Sequence, residues 1–337
     1  MIVEQDIAAV NRTLAPLWPR LDGARLFITG GTGFIGRWLL EALARSPCDA
    51  EVVVLTRDPA RFAATAPHLA ARVELVAGDV IDFAFPPGRF THVIHGATGA
   101  SAELNARDPL LMFDTIVSGT RRTLEFAAAS GVGRFLFLSS GAVYGAQPAT
   151  LSHVGEDWPG APDPHDPRSA YGEGKRAAEL ICAIHGRQSG IEVMSARIFA
   201  LLGPLLSLDI HFAAGNFIRD AMAGRTIRVE SSGEAVRSYL YAADLAAWLW
   251  TMLLTGKGGA VYNLGSEEPV TIADLARRTA AFLGGPGVDV LGRPDPGWNP
   301  GRYVPSTRAI RNELGVAATV DLDEAIRRTA LYNGWNA

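Results

Sequence analysis

The chain has 337 residues, about twice the usual single-domain size, and 48% of them are hydrophobic, which supplies a large core and excludes a disordered chain. A balance of 31 Lys and Arg against 35 Asp and Glu, with a formal charge of −4 and no basic block, lacks the electrostatic footprint that a phosphate backbone requires, so no nucleic-acid partner is expected. Only Cys48 and Cys182 are present, without disulfide or zinc spacing, which points to a reducing, cytoplasmic compartment.

At the start, Glu4 and Asp6 stand where a signal peptide carries positive charge, so no export is expected. Ile7, Val10, Leu14 and Leu17 recur at helical spacing and predict an amphipathic helix over about residues 4–15, ending near Pro16. Between residues 25 and 140, the β-rich runs ARLFITG, EVVVLTR, VELVAGD, THVIHGA and RFLFLSS alternate with helical patterns such as Gly36 to Arg45 and Met112 to Ser130. That alternation is the mark of parallel strands joined by crossover helices. A Pro-, Asp- and His-rich stretch from Gln147 to Pro167 reads as an irregular surface loop before a helix at Ser169. Leu245 to Leu254 is apolar throughout but about half the length that spans a bilayer, so it reads as a buried helix and no membrane partner is expected. The predicted fold is α/β: a Rossmann doubly wound parallel sheet with a smaller mixed C-terminal substrate domain. The expected domains are an N-terminal helical extension (1–24), a dinucleotide-binding domain (25–197, completed by 236–262) and a substrate domain (198–235 and 263–337).

The run LFITGGTGFIGRWLL carries Gly30, Gly33 and Gly36 out of a strand and into a helix. A tight turn needs the first glycine, close approach of a pyrophosphate the second, and close packing of helix on strand the third. The helix N-terminus then offers free amides to the anion, with Phe34 and Ile35 as the next cofactor-lining positions. At the end of the second strand, where an acidic residue would hold a ribose diol, stand Thr56 and Arg57. A guanidinium suits a 2′-phosphate, which tilts the expected cofactor toward NADP over NAD. Asp58, next to it, offers the diol a carboxylate instead, and a surface arginine is the plain reading of Arg57. Asp79, with Val80 beside it, is placed to accept from the adenine amino group or to cap its own turn. Gly96 and Ala97 leave room beside the cofactor, and His95 reads as a core residue.

The chemistry is expected from Ser139 and Ser140, at the end of RFLFLSS, and from Tyr171 and Lys175 in SAYGEGKRAAEL. Four residues apart on a helix, Tyr171 and Lys175 share a face. An ammonium and a positive nicotinamide would bring the phenol's pKa down toward neutrality, letting Tyr171 take or return a hydroxyl proton while hydride moves. A serine hydroxyl would hold the same oxygen. A hydrolase elbow is excluded because LSSGAVYG lacks the glycine two places before Ser140. The seven histidines, at 68, 92, 95, 153, 165, 185 and 211, show no paired helical spacing, so no metal is expected.

Together, TGGTGFIG, GDV, VIHGA, LSSGAVYG, YGEGK, RIFALLGP and RSYLYAADLA resemble the extended short-chain dehydrogenase/reductases of the NAD-dependent epimerase/dehydratase family, over about residues 25–315. The resemblance implies a catalytic triad of Ser140, Tyr171 and Lys175, a nucleotide-diphosphate sugar substrate and a homodimer. The serine is Ser140, counted three back from Val143 in the VYG element. It also implies that Arg237 and Arg302 grip the substrate pyrophosphate and that Asn216 lies near the nucleotide. Two departures bear on the reaction. Ala200 replaces an asparagine that is common in the family, and Gly141 and Ala142 stand where dehydratases carry an Asp-Glu pair and decarboxylases keep the Glu. Dehydration and decarboxylation are therefore disfavoured. What remains is reversible hydride transfer at a carbinol carbon, as a 4-keto-sugar reductase or a 4-epimerase, with Arg57 inclining toward NADPH and reduction. A reductase of small non-nucleotide carbonyls would instead turn Arg237 and Arg302 away from the pocket. A non-catalytic NAD(P)-sensing module would leave Ser140, Tyr171 and Lys175 apart.

Overall fold

The computed structural model describes residues 2–98, 102–209, 213–295 and 299–336. Its centre is a seven-stranded sheet in which every pairing is parallel. Six strands are β1 (Arg25–Thr29), β2 (Glu51–Thr56), β3 (Glu74–Ala77), β4 (His92–His95), β5 (Arg134–Ser140) and β6 (Glu192–Ile198). The spatial order is β3-β2-β1-β4-β5-β6, followed by the strand Val261–Leu264 beside β6. The five apolar runs of the sequence are the first five strands, because strands covered by helices on both faces need apolar side chains on both. The order reverses between β1 and β4, and the C-terminal ends of these strands open the crevice where doubly wound sheets place ligands.

Local chemistry starts and stops the helices that carry the site. Asp108 accepts the Leu111 N–H at 3.0 Å, and Pro109 follows it at the first position of the helix Pro109–Ala129. The helix Ala170–Ser189 ends on Gly190 at φ +73, in the left-handed cap that glycine adopts without cost. These two helices pack on the face of the sheet lined by Phe27, Phe135 and Phe137. Phe27 stacks 5.3 Å from Phe83 and 4.4 Å from Phe126, and such side chains stabilise the fold by about 1.5–3 kcal/mol each.

On the other face lie the helices Phe34–Ala44 and Ala242–Thr255. The second contains the apolar run read as a buried helix, and every residue from Ala242 to Leu254 is buried. The N-terminal helix, Ile2–Leu14, packs against it through Ile7, Val10 and Leu14. It also brings in Asp6, a buried carboxylate that accepts from the Tyr241 hydroxyl at 2.5 Å and from Arg328. That clasp joins the first helix to the last, Leu322–Tyr332.

Beyond β6 the chain leaves the sheet, returns as Val261–Leu264, and leaves again. The outlying parts form small sheets: Ile227–Val229 pairs with Val288–Val290, and Val236–Arg237 lies between Val270–Thr271 and Arg302–Tyr303. Helices Ala213–Met222 and Ile272–Leu283 cover them. Between Tyr144 and Pro167 there is no helix or strand, only a bridge from Val154 to Pro305. Among the described residues no helix is long and apolar enough to cross a membrane.

Candidate active site

The glycine turn lies at the C-terminal end of β1. Gly30 has φ +75, and a Cβ there would come within 2.6 Å of the Gly96 backbone; both features demand glycine. A Cβ on Gly36 would sit 2.3 Å from the Gly30 carbonyl oxygen. The third glycine therefore packs the helix against the turn itself, where helix-on-strand packing was expected. Gly33 differs: nothing lies closer than 3.4 Å to a Cβ there. Among the described residues no atom needs that space, and Gly33 caps the helix Phe34–Ala44 with no side chain bonded to its first amides. An open glycine and free helix-end amides fit a pyrophosphate. Phe34 and Ile35, half-buried, begin the helix.

The turn after β4 completes this end. Gly96 N–H donates to the Thr29 carbonyl at 3.0 Å, and Ala97 N–H donates to Thr29 Oγ1 at 3.1 Å. Thr29 Oγ1 is also 2.7 Å from His95 Nδ1, whose Nε2 lies 3.0 Å from Thr120. His95 is wholly enclosed, and burial lowers its pKa to about 3, with the Lys175 charge acting in the same direction. It is a neutral core residue that ties the turn to the sheet. Thr98, next in the turn, buries a hydroxyl with no partner among the described residues. Asp79 accepts the Ile81 N–H at 3.1 Å, capping its own turn, and Val80 is buried against Gly119. Arg57 is exposed after β2. Asp58 caps the next helix by accepting the Arg61 N–H at 2.9 Å, which commits it locally where a role at the ribose diol had been the alternative.

At the end of β5 the strand alternation separates the two serines. Ser139 Oγ donates to Glu179 at 2.6 Å, inside a buried network with Arg197. Ser140 faces the other way, accepts the Ala142 N–H at 3.1 Å and stands close enough to Tyr171 for its hydroxyl to favour ionisation of that phenol. The helix Ala170–Ser189 brings Tyr171 and Lys175 to the same place. Lys175 Nζ donates to the Leu138 carbonyl at 2.7 Å, lies 4.8 Å from the Phe137 ring centroid and 6.0 Å from that of Tyr171. Ser140, Tyr171 and Lys175 thus converge beside the glycine turn.

Their acidity departs from expectation. Burial raises the Tyr171 pKa, and the Ser140 hydroxyl opposes it in part. Burial lowers that of Lys175 to about 8. The sequence reading had the ammonium and the positive nicotinamide together bring the phenol down toward neutrality. Of the two, the ammonium has little hold on it: desolvation outweighs its effect, because it is aimed at the Leu138 carbonyl and stands off from the phenol.

The substrate region contributes a residue that the sequence reading missed. Tyr303 Oη lies 3.4 Å from Ser140 Oγ, and its ring is 4.5 Å from Phe199. The register sets Tyr303 beside Arg237, and the Arg237 charge favours ionisation of the Tyr303 phenol. Arg237 is therefore on the site's side of its strand, where it also donates to the Val236 carbonyl. Arg302 is one residue out of phase. It shares the opposite face with Val236, lines a groove with Thr271, Asp274, Arg277 and Arg278, and donates to the Ser152 carbonyl at 2.7 Å. The expected pair of phosphate-gripping arginines is thus split between two faces, because adjacent residues of a strand point apart. Asn216 is half-buried on the helix Ala213–Met222, with Arg219 3.5 Å away.

Gly141 and Ala142 have a structural counterpart. A Cβ on Gly141 would meet the Phe199 ring at 2.6 Å, so no carboxylate fits there as the ring stands. Among the described residues no group of three or more His, Cys, Asp or Glu is placed to hold a metal; His211 lies outside them.

Residues 26–265 match the NAD dependent epimerase/dehydratase family. UDP-glucuronic acid decarboxylase 1 of Xenopus tropicalis is 31% identical over 92% of this chain and 72% of its own. The Thermus thermophilus UDP-glucose 4-epimerase, solved in complex with NAD, superposes with a TM-score of 0.76 at 27% identity, covering 92% of this chain and 99% of that one. DesIV of Streptomyces venezuelae, a dTDP-glucose 4,6-dehydratase solved with NAD, gives 0.78 at 25% identity over 91% and 96%.

Proposed function

The chain belongs to the NAD dependent epimerase/dehydratase family, and on that footing we propose that it transfers hydride reversibly at a carbinol or keto carbon of a nucleotide-diphosphate sugar, working as a 4-keto-sugar reductase. The observation that carries this reading is the convergence of Ser140, Tyr171 and Lys175 beside the glycine turn. When bound there, the dinucleotide supplies or takes up the hydride. In the reducing direction Tyr171 Oη gives its proton to the carbonyl oxygen, and the Ser140 hydroxyl stabilises the charge that gathers on that oxygen. A phenol held above its ordinary pKa arrives protonated, as an acid must. Lys175, with its amine near pKa 8, carries a charge that favours the phenolate left behind. Arg237, on the side of Tyr303, would hold the substrate phosphates.

Gly141, Ala142 and the Phe199 ring support hydride transfer without elimination or decarboxylation, although relatives at this level of identity include decarboxylases. Epimerisation is a second reading, favoured by the likeness to the Thermus epimerase. It uses the same proton transfers, with hydride returned to the opposite face of the sugar. Arg57 supports NADP, whereas the two solved relatives hold NAD. Leu110, Leu180 and Ile184, exposed by 74%, 63% and 44% on the two long helices, support a homodimer through that face.

A thermal-shift panel tests the substrate class. UDP-glucose, UDP-glucuronic acid, dTDP-glucose, GDP-mannose and CDP-glucose are each added with NAD or NADP, since a ligand that binds only the folded chain raises the melting temperature. At least one sugar nucleotide is expected to add to the shift given by the dinucleotide. A dinucleotide shift with no response to any of them would overturn the assignment in favour of a small carbonyl substrate.

A further inference from the structure

The helix that carries Tyr171 begins without a cap of its own. The first amides of a helix have no partner within it, and Ser169, at the N-cap of Ala170–Ser189, bonds none of them with its side chain. A cap comes instead from Asn105, 66 residues before Tyr171, on the short helix Ala102–Arg107 that follows the turn after β4. Asn105 Oδ1 accepts the Tyr171 N–H at 3.1 Å, and Asn105 Nδ2 donates to the Arg168 carbonyl at 2.9 Å. We propose that Asn105 is a positioning residue: its carboxamide fastens the backbone of Tyr171 and so keeps the phenol in place for the substrate. This deepens the reading above and rests on its choice of Tyr171 as the proton donor.

Only one orientation of the carboxamide serves both neighbours. Flipped, it would set its NH2 against the Tyr171 N–H and its oxygen against the Arg168 oxygen. Tyr171 is the second residue of its helix, and the third is held by contact: a Cβ on Gly172 would come 2.8 Å from the Ala142 carbonyl oxygen and 2.8 Å from the Pro162 ring. Such packing limits how near the first turn comes to the end of β5, but it does not keep that turn from unwinding away. A bond to the Tyr171 amide does, and helix ends open before their centres. Lys175, one turn further along, is buried and held separately, through Nζ on the Leu138 carbonyl at 2.7 Å. Loss of Asn105 therefore frees Tyr171 while Lys175 stays seated, and parts the two groups that the pitch of the helix brings together.

The test needs no substrate. Tyr171 is replaced site-specifically by difluorotyrosine, whose phenol ionises nearer neutral pH, and its ionisation is followed by fluorine NMR in the full chain, well below the melting temperature of each variant. N105A is compared with the parent and with D321A, which removes the side-chain cap of the helix Leu322–Tyr332 and so costs stability without touching Tyr171. Burial holds the Tyr171 phenol above its ordinary pKa, and a loosened first turn lets water reach it. N105A is therefore expected to raise the ionisation constant at least about threefold, and D321A to leave it within about twofold of the parent. A rise of less than about threefold in N105A, a fall, or a D321A change beyond about twofold overturns the proposal. N105L, which fills the same space without either bond, carries the identical expectation should N105A melt early. Failure of the reaction assignment would appear instead as turnover surviving in Y171F, so the two failures are distinguishable.

Discussion

On one side of Ser140 the molecule is built from the regular sheet; on the other it is built from strands of two or three residues. Toward the glycine turn, Thr29, His95, Gly96 and Ala97 are joined by contacts of 2.7–3.1 Å within the sheet's own register. Toward the substrate, Tyr303 reaches the serine at 3.4 Å from a strand anchored by Val236–Arg237. The first side is preorganised by parallel strands covered on both faces, with little freedom to move. The second depends on distant segments meeting, so the substrate can complete what the protein leaves loose. Rigid placement at the cofactor end and adjustable placement at the sugar end suit a family that varies its substrates while keeping one hydride chemistry.

Three tests break or sharpen this contrast. The largest effect is expected from Gly36→Ala, whose Cβ would stand 2.3 Å from the Gly30 oxygen and within 2.6 Å of the Gly31 backbone. Dinucleotide affinity by calorimetry should fall about 30- to 100-fold, the equivalent of 2–3 kcal/mol of overpacking. Gly301→Ala, at φ +83 with nothing among the described residues within 4 Å, is its counterpart in the loose half and should cost only about 1 kcal/mol of stability. Comparable losses would show that the two halves are equally tight.

The second change is acid. His95 has a pKa of about 3 in the folded chain against 6.5 when unfolded. Its neutral burial stabilises the fold in full above pH 6.5, and that contribution drains away as pH falls from there toward 3. The slope is about 1.4 kcal/mol per pH unit, or tenfold in the folding constant. Urea titrations of the wild type and H95Q between pH 7 and 5 should differ by this slope, other groups cancelling in the difference. Parallel curves would mean that the imidazole is reached by water.

Arg237→Ala is expected to raise KM for the sugar nucleotide about tenfold with little change in kcat, since uniform binding is what it removes. Arg302→Ala, on the opposite face of the strand, should change KM by less than about threefold, as surface substitutions do. Equal effects would return Arg302 to the substrate.

Much of the tight half could be read from the sequence, and the reason is local. Parallel strands buried on both faces declare themselves as apolar runs, Gly30 and Gly36 mark positions where nothing larger fits, and Tyr171 with Lys175 needs only the pitch of a helix. Tyr303 could not be read in this way. In GRYVP either Arg302 or Tyr303 could face inward, and the choice is made by pairing with Val236 and Arg237, some 66 residues earlier. A strand hint at GRYVP was the only available signal, and it carried no register. Asp6 was equally hidden, since its partners Tyr241 and Arg328 lie at the far end of the chain. The ammonium's hold on Tyr171 was overestimated for a related cause: the sequence shows which charges are near, whereas depth of burial is a property of the assembled fold.

The most direct trial of the account is hydride transfer itself, followed by nicotinamide absorbance after mixing the enzyme and excess NADPH or NADH with a dTDP- or UDP-4-ketohexose. The wild type is expected to oxidise the reduced cofactor in proportion to the sugar added, and a folded Y171F to do so at least about a hundredfold more slowly, as loss of a general acid requires. Undiminished transfer by Y171F would contradict the assignment of Tyr171 as the proton donor and, with it, the proposed reaction.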